Sequence, residues 1–239
     1  MKLPAAFGRI CCLCALTTAL AACAAQPPAE VAAQPGPTPT PTATLPRFDK
    51  RAYVEIATTK GRVVVELDGT NAPITVGNFL DLVNRRFYDG LTFHRVEPGF
   101  VVQGGDPLGN GTGGFIDPKT RKERTIPLEI RPTVGGKPGD ILYSKTYQEA
   151  GLSPSGQPPV LSHRRGVIAM ARSSYPDSAS SQFYITLADT SPLDGGYAVF
   201  GKVIQGMEVV DRIAIGDKMT SLRVISAPPV APSAPSSTP

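Results

Sequence analysis

Arg95 and Gln103 are the residues best placed to do chemistry in this sequence, because the chain between them reads as a tight hairpin with apolar neighbours. Leu91 to Val96 reads as a strand, Glu97-Pro98-Gly99-Phe100 as a type II turn with proline second and glycine third, and Val101 to Gln103 as the return strand. Antiparallel pairing then holds Arg95 close to the return strand. Side chains alternate along a strand, so Val101 and Gln103 share one face, while Phe100 begins the strand at the turn. Arginine stays charged at every relevant pH and presents a rigid fork of N–H donors. Over an apolar floor, such a fork makes a peptide-binding and catalytic pattern. An arginine by itself would more simply be a surface ion-pair partner; its neighbours give this one its meaning. His94 is expected to point away from Arg95 on the same strand and is read as structural.

The elements that must hold these residues are short and mostly extended. Tyr53 to Ala57 and Arg62 to Leu67 read as a hairpin about Thr58-Thr59-Lys60-Gly61, with Val63, Val65 and Leu67 facing inward. Pro73 stands where a helix should begin, and Val76, Phe79, Leu80 and Val83 follow at i, i+3, i+4 and i+7. Short strands separated by glycine and proline dominate from Leu91 to Val203. Met207, Val210 and Ile213 suggest a second short helix, and Arg223 to Ile225 a last strand. Gln182 and Tyr184 share one face of their strand, while Phe183 and Ile185 point the other way into a core. These signals alone make the fold mainly β with two helices.

The ends are of different character. Lys2 and Arg9 precede an apolar run from Ile10 to Ala22, the pattern of a secretory signal (1–22) and too short for a spanning helix. The run ends Leu20-Ala21-Ala22-Cys23, which resembles the lipobox of bacterial lipoproteins and makes Cys23 the expected site of lipid attachment. Residues 23–48 form the anchor and a Pro/Thr-rich linker, extended and unable to bury a core. Residues 49–225 are left for one domain, and 226–239 form a disordered tail rich in proline, serine and alanine. Cys11, Cys12 and Cys14 lie in the leader, so the domain has no disulfide and no cysteine nucleophile or metal site. The formal charge is +4, and Arg85-Arg86, Arg121-Lys122 and Arg164-Arg165 are scattered pairs that read as solvated surface. No nucleic-acid partner is expected.

The Arg95 hairpin resembles the signature of the cyclophilins, the prolyl cis/trans isomerases, and three further blocks resemble the same family in the same order. They are Gly111-Thr112-Gly113-Gly114, then Met170-Ala171 with Ser181-Gln182-Phe183-Tyr184-Ile185, then Leu193-Asp194-Gly195 with Val199-Phe200-Gly201-Lys202-Val203. The resemblance runs from Tyr53 to Ile225. It implies a closed eight-stranded antiparallel barrel capped by two α-helices, with the active groove on the outer wall because side chains fill a barrel of that size. It also implies isomerase activity on proline-containing polypeptides. On that resemblance Arg95 would be the catalytic donor, Phe100, Val101, Tyr184, Leu193 and Tyr197 would line the proline pocket, and Gln103, Ala171, Arg172 and Gln182 would bind the peptide backbone, with Gly111 lining the channel. No cofactor or metal is implied, a monomer is expected, and the membrane is met only through the lipid anchor.

Departures from the family pattern bear on specificity. Pro192 stands where the family often has tryptophan, whose indole N–H donates to cyclosporin, so weak cyclosporin binding is implied. Tyr184 stands where phenylalanine is usual, Arg172 where asparagine is usual, and Tyr197 where many members carry histidine. A Gly/Pro-rich stretch from Pro132 to Val160 has no counterpart in compact members and reads as a lid or a surface loop. Gly109 to Gly114 satisfies a dinucleotide-type glycine pattern, but no helix follows it, and Asn110-Gly111-Thr112 is an incidental glycosylation sequon. With His163, His94 completes a pair of histidines too small for a metal cluster. The competing reading is a non-catalytic peptide-binding or chaperone module of the cell envelope with the same groove.

Overall fold

Alternating apolar residues decide the opening strands: Val63, Val65 and Leu67 all point into the core. The computed structural model describes residues 45–227; the leader, Cys23, most of the linker and most of the C-terminal tail lie outside the described residues. β1 (Arg51–Thr58) and β2 (Gly61–Asp68) form a hairpin, followed by α1 (Pro73–Asn84), and β3 (Phe93–Glu97) and β4 (Val101–Gly104) form a second hairpin. Four two-residue strands come next: β5 (Glu129–Ile130), β6 (Thr133–Val134), β7 (Lys137–Pro138) and β8 (Leu142–Tyr143). Then come β9 (Val167–Met170), β10 (Phe183–Thr186), β11 (Val199–Gln205), α2 (Met207–Val210) and β12 (Met219–Ile225). Among the described residues, no helix is long and apolar enough to cross a membrane.

Eight antiparallel strands make one curled sheet in the order β12-β1-β2-β11-β9-β10-β4-β3. The expected closed barrel is corrected here, because the sheet stays open. Its edge strands β3 and β12 share no ladder and meet through one bridge, Thr92 to Lys218, with backbone bonds from Phe93 to Asp217 and from Met219 to Leu91 beside it. The chain from Arg85 to Gly90 is wound into turns, so too little extended chain precedes Phe93 to zip a ladder onto β12.

The inner face of the sheet and α1 enclose the main core. Phe79 of α1 lies 5.2 Å from Tyr88 and from Phe200 and 5.5 Å from Phe183, ring centre to ring centre, and each such buried side chain contributes about 2 kcal/mol. The expected stripe of Val76, Phe79, Leu80 and Val83 is buried, and Ile74 and Leu82 are buried with it. Such enclosure needs a partner on the helix's outer side, and Leu45 to Phe48, assigned to the linker by composition, supply it. Leu45 is in the core, and the Phe48 N–H donates to the Pro73 carbonyl at 3.0 Å. Gly77 permits the crossing, since a Cβ there would lie 2.4 Å from the Pro46 carbonyl oxygen.

The stretch from Pro132 to Val160 is built rather than loose. β5 pairs with β8, β6 with β7, and Pro132 bridges Pro159. Its Tyr147, Leu142 and Leu152 pack with Leu128, Ile130 and Ala198 in a separate apolar cluster. This appendage abuts the outer face of the sheet, where a second cluster gathers Val101, Val167, Ala169, Tyr184 and Val199.

Candidate functional site

The outer cluster owes its position to strand alternation. Val102, Ile168, Phe183 and Ile185 face the core, which sends Val101, Ala169, Gln182 and Tyr184 outward. The β3–β4 hairpin turns as expected, with Gly99 at φ 72° and the Phe100 N–H bonded to the Glu97 carbonyl at 2.9 Å. Its register hides a feature that alternation does not foresee. Phe93 pairs with Gly104 but Arg95 pairs with Gln103, so His94 is the extra residue of a β-bulge. The bulge lets Phe93 enter the core while Arg95 stands outside, opposite Gln103. His94 has its Nε2 beside the Gly111 turn, 4.0 Å from where a Cβ there would stand.

Two adjoining hollows result. The first, about 260 Å³, is walled by Phe100, Val101, Tyr184, Leu193 and Tyr197, with Arg95, Gln103, Ala171 and Arg172 at its rim. The second, about 380 Å³, is more polar and shares Gln103, Ala171 and Arg172 with the first, adding Gly111, Gln182 and Glu123. The fold thus brings every candidate groove residue of the sequence into one continuous surface. Cys23 lies outside the described residues.

A directed chain of hydrogen bonds runs between the hollows. Arg95 Nη1 donates to Gln103 Oε1 at 3.3 Å, and Gln103 Nε2 donates to Gln182 Oε1 at 2.9 Å. Gln182 Nε2 in turn donates to the carbonyls of Gly111 at 3.0 Å and Gly113 at 2.8 Å. Each amide is oriented by the next, so the arginine fork is held at one end of a mutually polarised series. The guanidinium also lies 5.8 Å from the Phe100 ring centre and 3.6 Å from Glu97 Oε1, and it remains half exposed, open to a ligand.

The far end of the series is anchored by Asp106. Its carboxylate accepts the backbone N–H groups of Leu108, Asn110 and Gly111 at 2.8, 2.9 and 2.5 Å. Burial works against its charge, but these three donors outweigh it and hold the carboxyl below its ordinary range. Arg172, expected to bind the peptide backbone, also braces its surroundings. Its side chain donates to the carbonyls of Gly196, Ser173 and Ser174, and its guanidinium lies 4.8 Å over the Tyr197 ring. It therefore props the aromatic wall while still lining both hollows. Tyr184 meets Tyr197 edge to face at 6.1 Å, and its hydroxyl is turned away from the hollow toward His163.

Sequence reasoning missed Glu123 and the serines 173, 178 and 180 of the second hollow, because nothing in their neighbourhood sets them apart from surface residues. It also missed the partnership of His163 with Asp194, although both flank quoted motif blocks.

Residues 53–231 match the family model described as cyclophilin type peptidyl-prolyl cis-trans isomerase/CLD. A Synechocystis sp. protein named as a thylakoid lumen peptidyl-prolyl cis-trans isomerase is 45% identical over 193 residues, covering 77% of this chain and 49% of that one. The chain therefore spans about half the length of that relative. Peptidyl-prolyl cis-trans isomerase A of Dickeya dadantii is 39% identical over 167 residues, covering 68% of this chain and 70% of that one. Among solved structures, a cyclophilin type isomerase of Cryptosporidium parvum in the presence of the dipeptide Ala-Pro superposes with a TM-score of 0.55 at 28% identity, covering 73% of this chain and 99% of that one.

Proposed function

The chain belongs to the cyclophilin-type peptidyl-prolyl cis-trans isomerases, and on that footing we propose that it accelerates rotation about Xaa-Pro bonds in exported polypeptides and so assists their folding. One observation carries the reading: a charged N–H fork, fixed by Gln103, stands at the rim of an apolar hollow of about 260 Å³. Rotation about an Xaa-Pro bond is slow because amide resonance must be broken, with a barrier of roughly 18–20 kcal/mol. In the twisted transition state the prolyl nitrogen regains a basic lone pair. A donor aimed at that nitrogen stabilises the twisted state more than either planar ground state. Arg95 is that donor.

Phe100, Val101, Tyr184, Leu193 and Tyr197 hold the proline ring while the preceding carbonyl swings. Gln103, Gly111, Ala171, Arg172 and Gln182 hold the peptide on either side, so the rotating bond is the only free one. The Ala-Pro dipeptide named with the Cryptosporidium parvum structure supports a ligand of this class. The leader and Leu20-Ala21-Ala22-Cys23, together with the lumenal setting named for the Synechocystis relative, support an extracytoplasmic domain tethered to a bacterial membrane by lipid on Cys23. It acts there as a monomer on unfolded chains.

The test is exchange NMR on a short Xaa-Pro peptide with the full chain and with Arg95→Ala. Loss of one transition-state donor should lower kcat/KM about 10²- to 10³-fold, with peptide affinity much less affected. Peptide binding without turnover in the unaltered protein would instead make the groove that of a binding or chaperone module.

A further inference from the structure

His163 takes no part in the chemistry above, yet its side chain is 1% exposed and both ring nitrogens are engaged. Nδ1 lies 2.8 Å from Asp194 Oδ1, and that oxygen also accepts the His163 backbone N–H at 2.7 Å. Nε2 lies 2.9 Å from the Tyr184 hydroxyl, and the two rings are nearly parallel at 14°. A carboxylate can only accept, so Nδ1 carries the proton, and Nε2 accepts from the tyrosine O–H. Three separate parts of the chain meet here: the turn before β9, the residue after Leu193, and the middle of β10.

We propose that Asp194, His163 and Tyr184 form a positioning relay that sets the width of the proline pocket by tying the Leu193 wall to the Tyr184 floor. The inference rests on the reading of this hollow as the proline site. Asp194 is bonded to Leu193, so fixing its carboxylate fixes the wall. Holding the Tyr184 oxygen fixes the tilt of its ring against Tyr197 and keeps the hydroxyl engaged with His163. Buried networks of this kind are all or nothing, because one broken link leaves a polar group unsatisfied in a low dielectric. The wall is braced from its other side as well. Gly195, at φ 78°, leaves room for Tyr147, whose Cγ lies 2.6 Å from where a Cβ would stand, and the Tyr147 N–H donates to the Gly195 carbonyl at 2.8 Å. Tyr147 braces Gly195 alone; the link from wall to floor is the imidazole.

The full chain is measured by exchange NMR for kcat and KM, and by titration for the Kd of an Ala-Pro peptide. His163→Leu should raise KM and Kd about tenfold, the size expected for losing a buried hydrogen-bonded link, with kcat within about twofold. His163→Gln, whose amide can still donate to Asp194 and accept from Tyr184, should recover most of the loss. Asp194→Asn keeps an amide oxygen that can accept both the backbone N–H and the Nδ1–H of His163, so the ring proton should stay on Nδ1, read in the 15N spectrum of the imidazole. Asp194→Leu removes that acceptor and should raise KM and Kd as His163→Leu does. Unchanged KM and Kd in folded His163→Leu would overturn the relay, as would a proton on Nε2 in the unaltered protein. Absence of turnover in the unaltered protein would defeat the isomerase reading, while the Kd arm would still judge the relay. If His163→Leu does not fold, the Kd of Asp194→Leu and the imidazole 15N spectrum of the unaltered protein decide.

Discussion

Arginine side chains stay charged at every working pH, so pH should act on this protein chiefly through its two histidines, with the raised carboxyl of Glu129 pulling the other way. Burial draws both histidines below their ordinary range; for His163 the hydrogen bond and charge of Asp194 offset this only in part, and for His94 the opposing pull comes from Asp106. An unfolded histidine binds its proton near 6.5. Below that pH and down to the lower folded value, the unfolded chain holds more protons than the folded one, so stability falls as pH drops. Tyr184, pushed far up by burial, does not titrate in this window, and Asp194 is the charged group facing the His163 ring. The urea midpoint should therefore be lower at pH 5.5 than at pH 7.5. Replacing His163 by glutamine should shrink that difference; an equal drop in the variant would mean the sensitivity lies elsewhere. Strand parity made Val101 with Gln103 and Gln182 with Tyr184 legible as pairs, and the family motifs joined them to Arg95, whereas the His163–Asp194 contact joins residues 31 apart with no periodicity to announce it.

At the scale of elements, α1 shows how local sequence sets existence and distant sequence sets satisfaction. Pro73 and the apolar spacing mark the helix, but Ala72 provides no capping side chain. Glu129 of β5 caps it instead, accepting the N–H of Ile74 at 3.0 Å, the N–H of Thr75 at 2.6 Å and the Thr75 hydroxyl at 2.7 Å. Burial pushes this carboxyl up, and the three donors pull against it. Glu129→Ala leaves those donors buried without partners and should cost about 2–4 kcal/mol in a urea titration, with Glu129→Gln costing less. Equal costs would show that packing, not capping, is what the residue supplies. The His94 bulge belongs to this scale too: a run of six residues cannot reveal where one is skipped, because the partner strand decides the register.

Across the whole molecule, the boundary between linker and domain lies earlier than composition indicates. Leu45 is 6% exposed and Gly77 is cut to fit Pro46, so a chain beginning at Leu45 should be more stable than one beginning at Asp49. The difference should be about 2–3 kcal/mol, the value of one buried leucine and its neighbours' cover, visible as a lower melting temperature for the shorter chain. Identical melting would place 45–48 in the linker after all. The appendage from Pro132 to Val160 acts at this scale as well, since Tyr147 reaches across it to the Leu193–Gly195 turn and makes an insertion part of the groove's support.

From the sequence alone come the mainly β class, the first hairpin, the start of α1, the type II turn and the set of side chains that share the groove. The groove set comes from the ordered family motifs, and the rest follow from periods of two and 3.6 or from the φ limits of proline and glycine, which operate within a few residues. The expected leader and lipobox are likewise read from short-range patterns. Only the tertiary structure decides that the sheet stays open, that His94 is bulged, that Arg172 props Tyr197, and that Glu129, His163 and Tyr147 serve elements far from their own. Those outcomes depend on which strand edges meet and on which buried polar groups find partners, and such pairings carry no mark in the local sequence.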